Sequence, residues 1–285
     1  MGRRQPERNA MIDLELDKDS RAAVITFANS PSGLFTGAMA KELEDQVDSL
    51  AQNDTVNTLI LTGTGSTFIR HFDLDELAAS ADALAEAPSP PDATWQDSVF
   101  HRITRKLESL PQVVIAAING TCMGVGYELA LACDIRIASA GDYDLGLPEM
   151  HIGMFPGGGG TVRLARLVNP AKALELIATA TTVCPDRAEQ LGLVNRVEED
   201  ALAAARGLAA RLACLSRNAL AAAKRITLNA RDLDIESALT FEQREVNGHL
   251  GSDEVRTRLR TMIENGIDIR TPPPSAIDTR NSKEG

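Results

Sequence analysis

From Ser109 to Tyr127 the chain carries no charged side chain, and the run ends on an isolated acid, Glu128. So long an uncharged stretch must be buried, in a bilayer or in a protein core. Pro111, Gln112, Asn119, Gly120, Gly124 and Gly126 argue against a membrane-spanning helix and for a strand, a turn and a helix start. Residues 113–118, β-branched and apolar, read as a strand covered on both faces. Gly124-Val125-Gly126 then opens a helix that contains Glu128. Strand, turn and helix in that order constrain the chain to an α/β layered core.

The same theme recurs along the chain. Short β-branched runs at residues 22–28, 58–62, 113–118 and 134–138 alternate with amphipathic stretches at 38–51 and 100–110. Beyond Val162 the pattern changes to segments rich in Ala, Leu and Arg, at 171–179, 185–191, 200–215, 218–231, 235–249 and 253–265, which read as almost wholly helical. The expected organisation is a flexible N-terminus (1–11), an α/β core (12–198), a helical C-terminal part (199–266) and a disordered tail (267–285). Proline and polar residues at 87–94 and from Ile267 onward build no packed face, so both stretches are expected to be mobile.

With 285 residues, 44% of them hydrophobic and 24% charged, a sizeable core can be buried. An excess of acids, 40 Asp and Glu against 29 Lys and Arg, with a pI near 4.9, repels nucleic acid and anionic membranes alike. Neither is expected as a partner. Cys122, Cys133, Cys184 and Cys214 form no C-x-x-C pair, which points to reduced thiols in a cytoplasmic protein and away from zinc or a disulfide framework. The N-terminal stretch to Asp19 is charged throughout and lacks the apolar segment of a secretory signal.

Glu128 is the only charged residue between Leu110 and Cys133. A lone Glu is ordinarily a solvated helix position, but this one sits among Tyr127, Leu129 and Leu131, and a desolvated carboxyl has a raised pKa useful to an acid or base. The glycine turn before it leaves the first N–H groups of the helix free at the positive end of its dipole, where an oxyanion can sit. A second lone acid, Glu149, lies in LGLPEMHIGMFPGGGG. The glycines at 157–160 lack the G-K-[ST] of a phosphate loop and read as a tight turn into a helix beginning near Thr161. His71, after a strand and before a helix capped by Asp73, is the histidine best placed for function. His101, His151 and His249 show no metal-like spacing.

The segment PQVVIAAINGTCMGVGYELALACDIRIAS resembles the signature of the crotonase (enoyl-CoA hydratase/isomerase) superfamily, and LGLPEMHIGMFPGGGGTVRLARLV resembles the segment that follows it. The likeness extends from about Ile12 to Asn265 and includes LILTGTGSTF and AEQLGLVNRV. It implies a crotonase-like core of stacked ββα units and a helical C-terminal part used in trimerisation, with a homotrimer or a hexamer made of two trimers. It implies that Glu128 and Glu149 are the two catalytic acids of the hydratases, one activating water and the other handling the proton at Cα of a thioester. It assigns the oxyanion hole to the backbone N–H groups of Phe72 and Val125, with Arg70, His71 and Gly124 beside the substrate.

The chain departs from the family's usual pattern at Arg70-His71-Phe72-Asp73, where A-G-A-D is common, and at Val125, often glycine. His in place of Gly restricts φ, and Phe fills space at the acyl mouth, so the departures bear on the acyl group more than on the reaction class. The implied activity is reversible hydration of a 2,3-enoyl-CoA to a 3-hydroxyacyl-CoA, with coenzyme A as part of the substrate and no metal or redox cofactor. Two readings compete with it. Crotonase-type C–C cleavage, as in β-diketone hydrolases or retro-aldol lyases, is supported by His71 and Phe72; a non-catalytic oligomeric binding protein is opposed by the retention of both acids.

Overall fold

The computed structural model describes residues 11–28, 32–86 and 94–271. The mobile stretches expected at the N-terminus, at 87–94 and in the tail lie largely outside the described residues. In chain order the elements are β1 (Ile12–Asp17), β2 (Ala22–Phe27), β3 (Leu34–Phe35), α1 (Gly37–Ala51), β4 (Thr58–Gly63), β5 (Thr67–Ile69), β6 (His71–Phe72), α2 (Leu74–Glu86) and α3 (Val99–Ser109). There follow β7 (Val113–Ile118), β8 (Thr121–Met123), α4 (Val125–Leu131), β9 (Ile135–Ser139), β10 (Leu145–Gly146), α5 (Gly160–Leu167), α6 (Pro170–Ala178), β11 (Thr182–Val183), α7 (Pro185–Gln190) and β12 (Arg196–Glu198). The chain ends on α8 (Ala201–Ala213), α9 (Arg217–Asp232), α10 (Ile235–Leu250) and α11 (Asp253–Asn265).

Six strands form one sheet in the order β1-β2-β4-β7-β9-β12, parallel except for β1. The second sheet, β11-β10-β8-β5, gathers the short strand that follows each long one: β5 after β4, β8 after β7, β10 after β9. Each long strand, short strand and following helix thus makes one stacked ββα unit.

Both faces of the large sheet are covered, which is why its strands read as uninterrupted apolar runs. Ala23, Ile25, Leu59, Leu61, Val114 and Ala116 point into the main core, where Met39, Leu43 and Val47 of α1 meet them. Ala22, Val24, Ile60, Ile115 and Ala117 point the other way, onto Ala201, Ala205 and Ala209 of α8. Alanines four apart lie on one helix face and let α8 approach the sheet closely.

The expected strands at 22–28, 58–62 and 134–138 shift by at most one residue, and the strand at 113–118 agrees at both ends. The six segments expected to be helical beyond Val162 are α6 to α11, and the gaps between them hold two short strands that the sequence did not show: β11 edges the small sheet and β12 pairs with β9 at the edge of the large one. Strands this short have too few residues to show a period of two. The C-terminal helices are tied to the core by Lys224 of α9, whose buried ammonium meets Asp134 Oδ2 at 2.8 Å and donates to the carbonyls of Leu107 at 2.8 Å and Gln112 at 3.0 Å. Among the described residues no helix is long and apolar enough to cross a membrane.

Candidate active site

β8 delivers the chain to Gly124, whose φ of 53° and ψ of −126° belong to glycine alone. Its N–H donates to Gly146 O at 3.0 Å, so β10 fixes the turn, and α4 starts at Val125. As the first helical residue, Val125 has an N–H with no intrahelical acceptor, and no other partner for it is found among the described residues. One turn on, Glu128 is buried, and its Oε1 accepts two backbone N–H groups, from Gly158 at 2.7 Å and Gly160 at 2.9 Å.

That cradle exists because the turn carries no side chains. A Cβ on Gly158 would stand 2.5 Å from Glu128 Oε2 and from the Phe100 ring, and one on Gly160 would stand 2.9 Å from Glu128 Cγ. The glycine run therefore does more than permit a turn into α5, which begins at Gly160: it holds the carboxylate. Burial pushes the Glu128 carboxyl upward, while the two N–H groups and the charge of Arg163 pull it back.

Glu149 opens a short 3-10 helix (Glu149–Ile152) just after Pro148. Its environment is the opposite of that of Glu128. Glu149 Oε2 is buried without a hydrogen-bond partner, and burial, with the Glu128 charge adding to it, pushes the carboxyl up to about 7. Its other oxygen faces the turn: a Cβ on Gly124 would stand 3.2 Å from Glu149 Oε1 and 3.8 Å from His71 Cβ.

The opposing wall comes from β6. Arg70 N–H donates to Gly33 O at 2.7 Å and Asp73 N–H to Phe35 O at 2.8 Å, and the Phe72 N–H between them falls outside this ladder. Asp73 caps α2 as expected, accepting from the N–H groups of Asp75 at 2.9 Å and Glu76 at 3.1 Å. The His71 ring bonds through Nδ1 to Phe72 O at 2.7 Å. A carbonyl only accepts, so Nδ1 carries the hydrogen and a neutral ring has its free lone pair on Nε2.

These groups line one cavity of about 490 Å³. Glu128, Glu149, His71, Phe72, Gly124 and Val125 are all in its wall; the remainder is largely apolar, with Leu77, Val99, Phe100, Ile152, Met154 and Phe155. Arg70 is not in the wall and is exposed. Sequence reasoning missed Arg163 and Glu108, an ion pair at 2.7 Å with side chains only 10% and 11% exposed, packed behind the glycine turn. Nothing local marks them. Among the described residues no group of three or more His, Cys, Asp or Glu is arranged to hold a metal ion.

Residues 17–266 match the family model described as enoyl-CoA hydratase/isomerase. The chain is 31% identical over 257 residues to a probable enoyl-CoA hydratase of Bacillus subtilis, covering 89% of this chain and 96% of that one. It is 33% identical over 239 residues to a crotonyl-CoA hydratase of Syntrophomonas wolfei, covering 82% and 88% respectively. The crystal structure of an enoyl-CoA hydratase from Bacillus anthracis superposes with a TM-score of 0.79 at 28% identity, over 93% of this chain and 99% of that one.

Proposed function

This chain belongs to the enoyl-CoA hydratase/isomerase family, and from that premise we propose that it reversibly hydrates a 2,3-enoyl-CoA thioester to the 3-hydroxyacyl-CoA. One observation carries the reading: a single cavity holds a carboxylate cradled by two backbone N–H groups and a second carboxyl with a buried, unpartnered oxygen and a pKa near 7. Such a pair supports base and acid at the same pH.

In this reading the thioester oxygen accepts from the N–H groups of Phe72 and Val125, which meet the negative charge that builds there as water adds. Glu128, in the ionised form that its cradle favours against the effect of burial, takes a proton from water as the oxygen bonds to Cβ. Glu149, protonated, gives its proton to Cα. The product leaves Glu128 protonated and Glu149 ionised, and exchange with solvent restores both. Acid, base and oxyanion donors all come from the chain, so the reading calls for no cofactor beyond the coenzyme A of the substrate. His71 and Gly124 shape the wall beside the reacting carbons; Arg70, being exposed, is left the outer approach, where it can meet the carrier.

The test is a panel of purified enoyl-CoA esters, followed by loss of the enone-thioester absorbance. Hydration of at least one member is expected, with Glu128→Gln and Glu149→Gln each at least about a hundredfold slower. No turnover of any member would overturn the reading. Crotonase-type C–C cleavage is the second reading, favoured by the His71 ring in the cavity wall.

Assembly follows the same premise. Ile235, Leu239, Leu250 and Ile263 on α10 and α11 are each more than half exposed in the single chain, an apolar surface that a homotrimer or a dimer of trimers would cover. Light scattering at micromolar concentration is expected to give a trimer or hexamer; a monomer would refute this. A cytoplasmic location fits the four free thiols.

A further inference from the structure

The Glu128 cradle is built from backbone, and backbone this rich in glycine does not hold itself. Two of its peptide groups aim N–H at Glu128, and in a trans peptide the carbonyl points the opposite way. Gly157 O, on the same peptide as the Gly158 N–H, has the His101 ring beside it, whose Cε1 would lie 3.8 Å from a Cβ on Gly159. Gly159 O, on the same peptide as the Gly160 N–H, accepts the backbone N–H of Arg163 at 2.9 Å. Between them, Gly158 O accepts the Arg163 guanidinium at 3.3 Å.

The guanidinium is itself fixed. Its Nε donates to Glu108 Oε1 at 2.7 Å, and Glu108 stands on α3, the helix that also supplies Phe100 and His101 against the turn. It fills the space over Gly159, where a Cβ would stand 2.1 Å from Arg163 Nη1, so that glycine, at φ 101°, is required twice over. Glu108 also meets Arg105 at 2.7 Å, and the other ionisable groups that feel the Arg163 charge include His101, the cradled Glu128 and the buried Cys133.

We propose that Arg163, anchored by Glu108, is a positioning residue: it locks the 157–160 turn so that two N–H groups face Glu128, and its positive charge favours the ionised form of that carboxylate. The proposal rests on Glu128 being the base of the proposed reaction. Without Arg163 the turn relaxes, the N–H groups lose their aim, and Glu128 holds its proton to higher pH.

The experiment compares wild type with Arg163→Met, Arg163→Lys and Glu108→Gln by kcat and KM against pH on the best enoyl-CoA of the panel. Arg163→Met is expected to lower kcat at neutral pH at least about tenfold with KM within about twofold, and to move the acidic limb upward by about one pH unit. Arg163→Lys, which keeps the charge, should recover part of both effects. Glu108→Gln, the milder change, should move the limb in the same direction if Arg163→Met fails to fold. A fall in kcat with an unmoved acidic limb in each folded variant would make Arg163 merely structural and overturn the proposal, as would unchanged kcat. Titration of Glu128 by carbon-13 NMR, with selectively labelled glutamate and Glu128→Gln for assignment, reads the same shift without turnover. A wild-type protein that hydrates nothing while Arg163→Met still raises the Glu128 titration midpoint would sink the hydratase reading and keep the cradle; no change in that midpoint would sink the cradle.

Discussion

Glu128 and Glu149 face the same cavity with opposite hydrogen bonding: one oxygen of Glu128 accepts two backbone N–H groups, while Glu149 Oε2 is buried with none. In the proposed reaction this asymmetry would divide the roles of base and acid. It also makes Glu149 a liability for folding.

The Glu149 carboxyl rises from 4.5 to about 7 in the folded chain, so between those values the native state binds a proton that the unfolded state has lost. Native stability therefore falls as pH rises through that window. Glu149→Gln removes the ionisation and should be more stable than wild type at pH 8, by on the order of 1–2 kcal/mol once solvent screening of a half-buried group is allowed for. The difference should vanish below about pH 4.5, where the wild-type carboxyl is protonated in both states. Denaturant melts at the two pH values check this. In activity, wild-type turnover should decline on the alkaline side near the same pKa, as the acid loses its proton.

The glycine cradle makes a sharper demand. Gly158→Ala would put a methyl 2.5 Å from Glu128 Oε2 and the Phe100 ring, and should cost at least about a hundredfold in kcat by displacing the carboxylate. Gly207, exposed in the middle of α8 with nothing within 4 Å of a would-be Cβ, is the control. Gly207→Ala should leave activity unchanged and stabilise by about 0.5–1 kcal/mol. Kinetics and chemical melts on the two variants separate a steric role from a general intolerance of glycine substitution.

What could be read from the sequence follows from where the signal lies. Glu128 and Glu149 stood out because each is a lone charge in apolar or glycine-rich sequence, and the long strands because burial on both faces leaves them uninterrupted. β1 did not, since IDLELD alternates apolar with acidic residues at a sheet edge, and all but its first residue stay at least partly exposed. The N–H cradle was hidden for another reason: a glycine does not announce what its backbone points at. Arg163 and Lys224 read as ordinary helix charges, because their partners, Glu108 and Asp134, are distant in sequence and only the fold brings them together.

Lys224 gives the third prediction. Its ammonium satisfies two carbonyls and the Asp134 carboxylate, which also accepts Val114 N–H at 2.7 Å; burial raises the Asp134 pKa, and Lys224 opposes that rise most strongly. Lys224→Met would leave a buried charge uncompensated and should destabilise by about 3 kcal/mol. Adding Asp134→Asn should recover part of that loss, because the uncompensated charge goes with it. A double mutant no better than Lys224→Met alone in urea melts would place the cost in packing instead.

The last prediction concerns the departure at His71 and Phe72. If the Phe72 N–H meets the thioester oxygen while its ring walls the acyl site, Phe72→Ala keeps the donor and enlarges the cavity. Specificity should then shift toward bulkier acyl groups by about tenfold in relative kcat/KM, more than the best rate falls. His71 separates the two readings of the chemistry. Its Nδ1 is engaged by Phe72 O, so only Nε2 could move a proton in the cavity. A hydratase already has an acid and a base in Glu149 and Glu128, and should tolerate His71→Gly with less than about a tenfold loss in kcat. C–C cleavage that relied on the imidazole would not tolerate it. A loss beyond about a hundredfold, with fold and oligomer intact and a limb missing from the pH profile, would transfer the catalytic proton to His71 and the activity to the second reading.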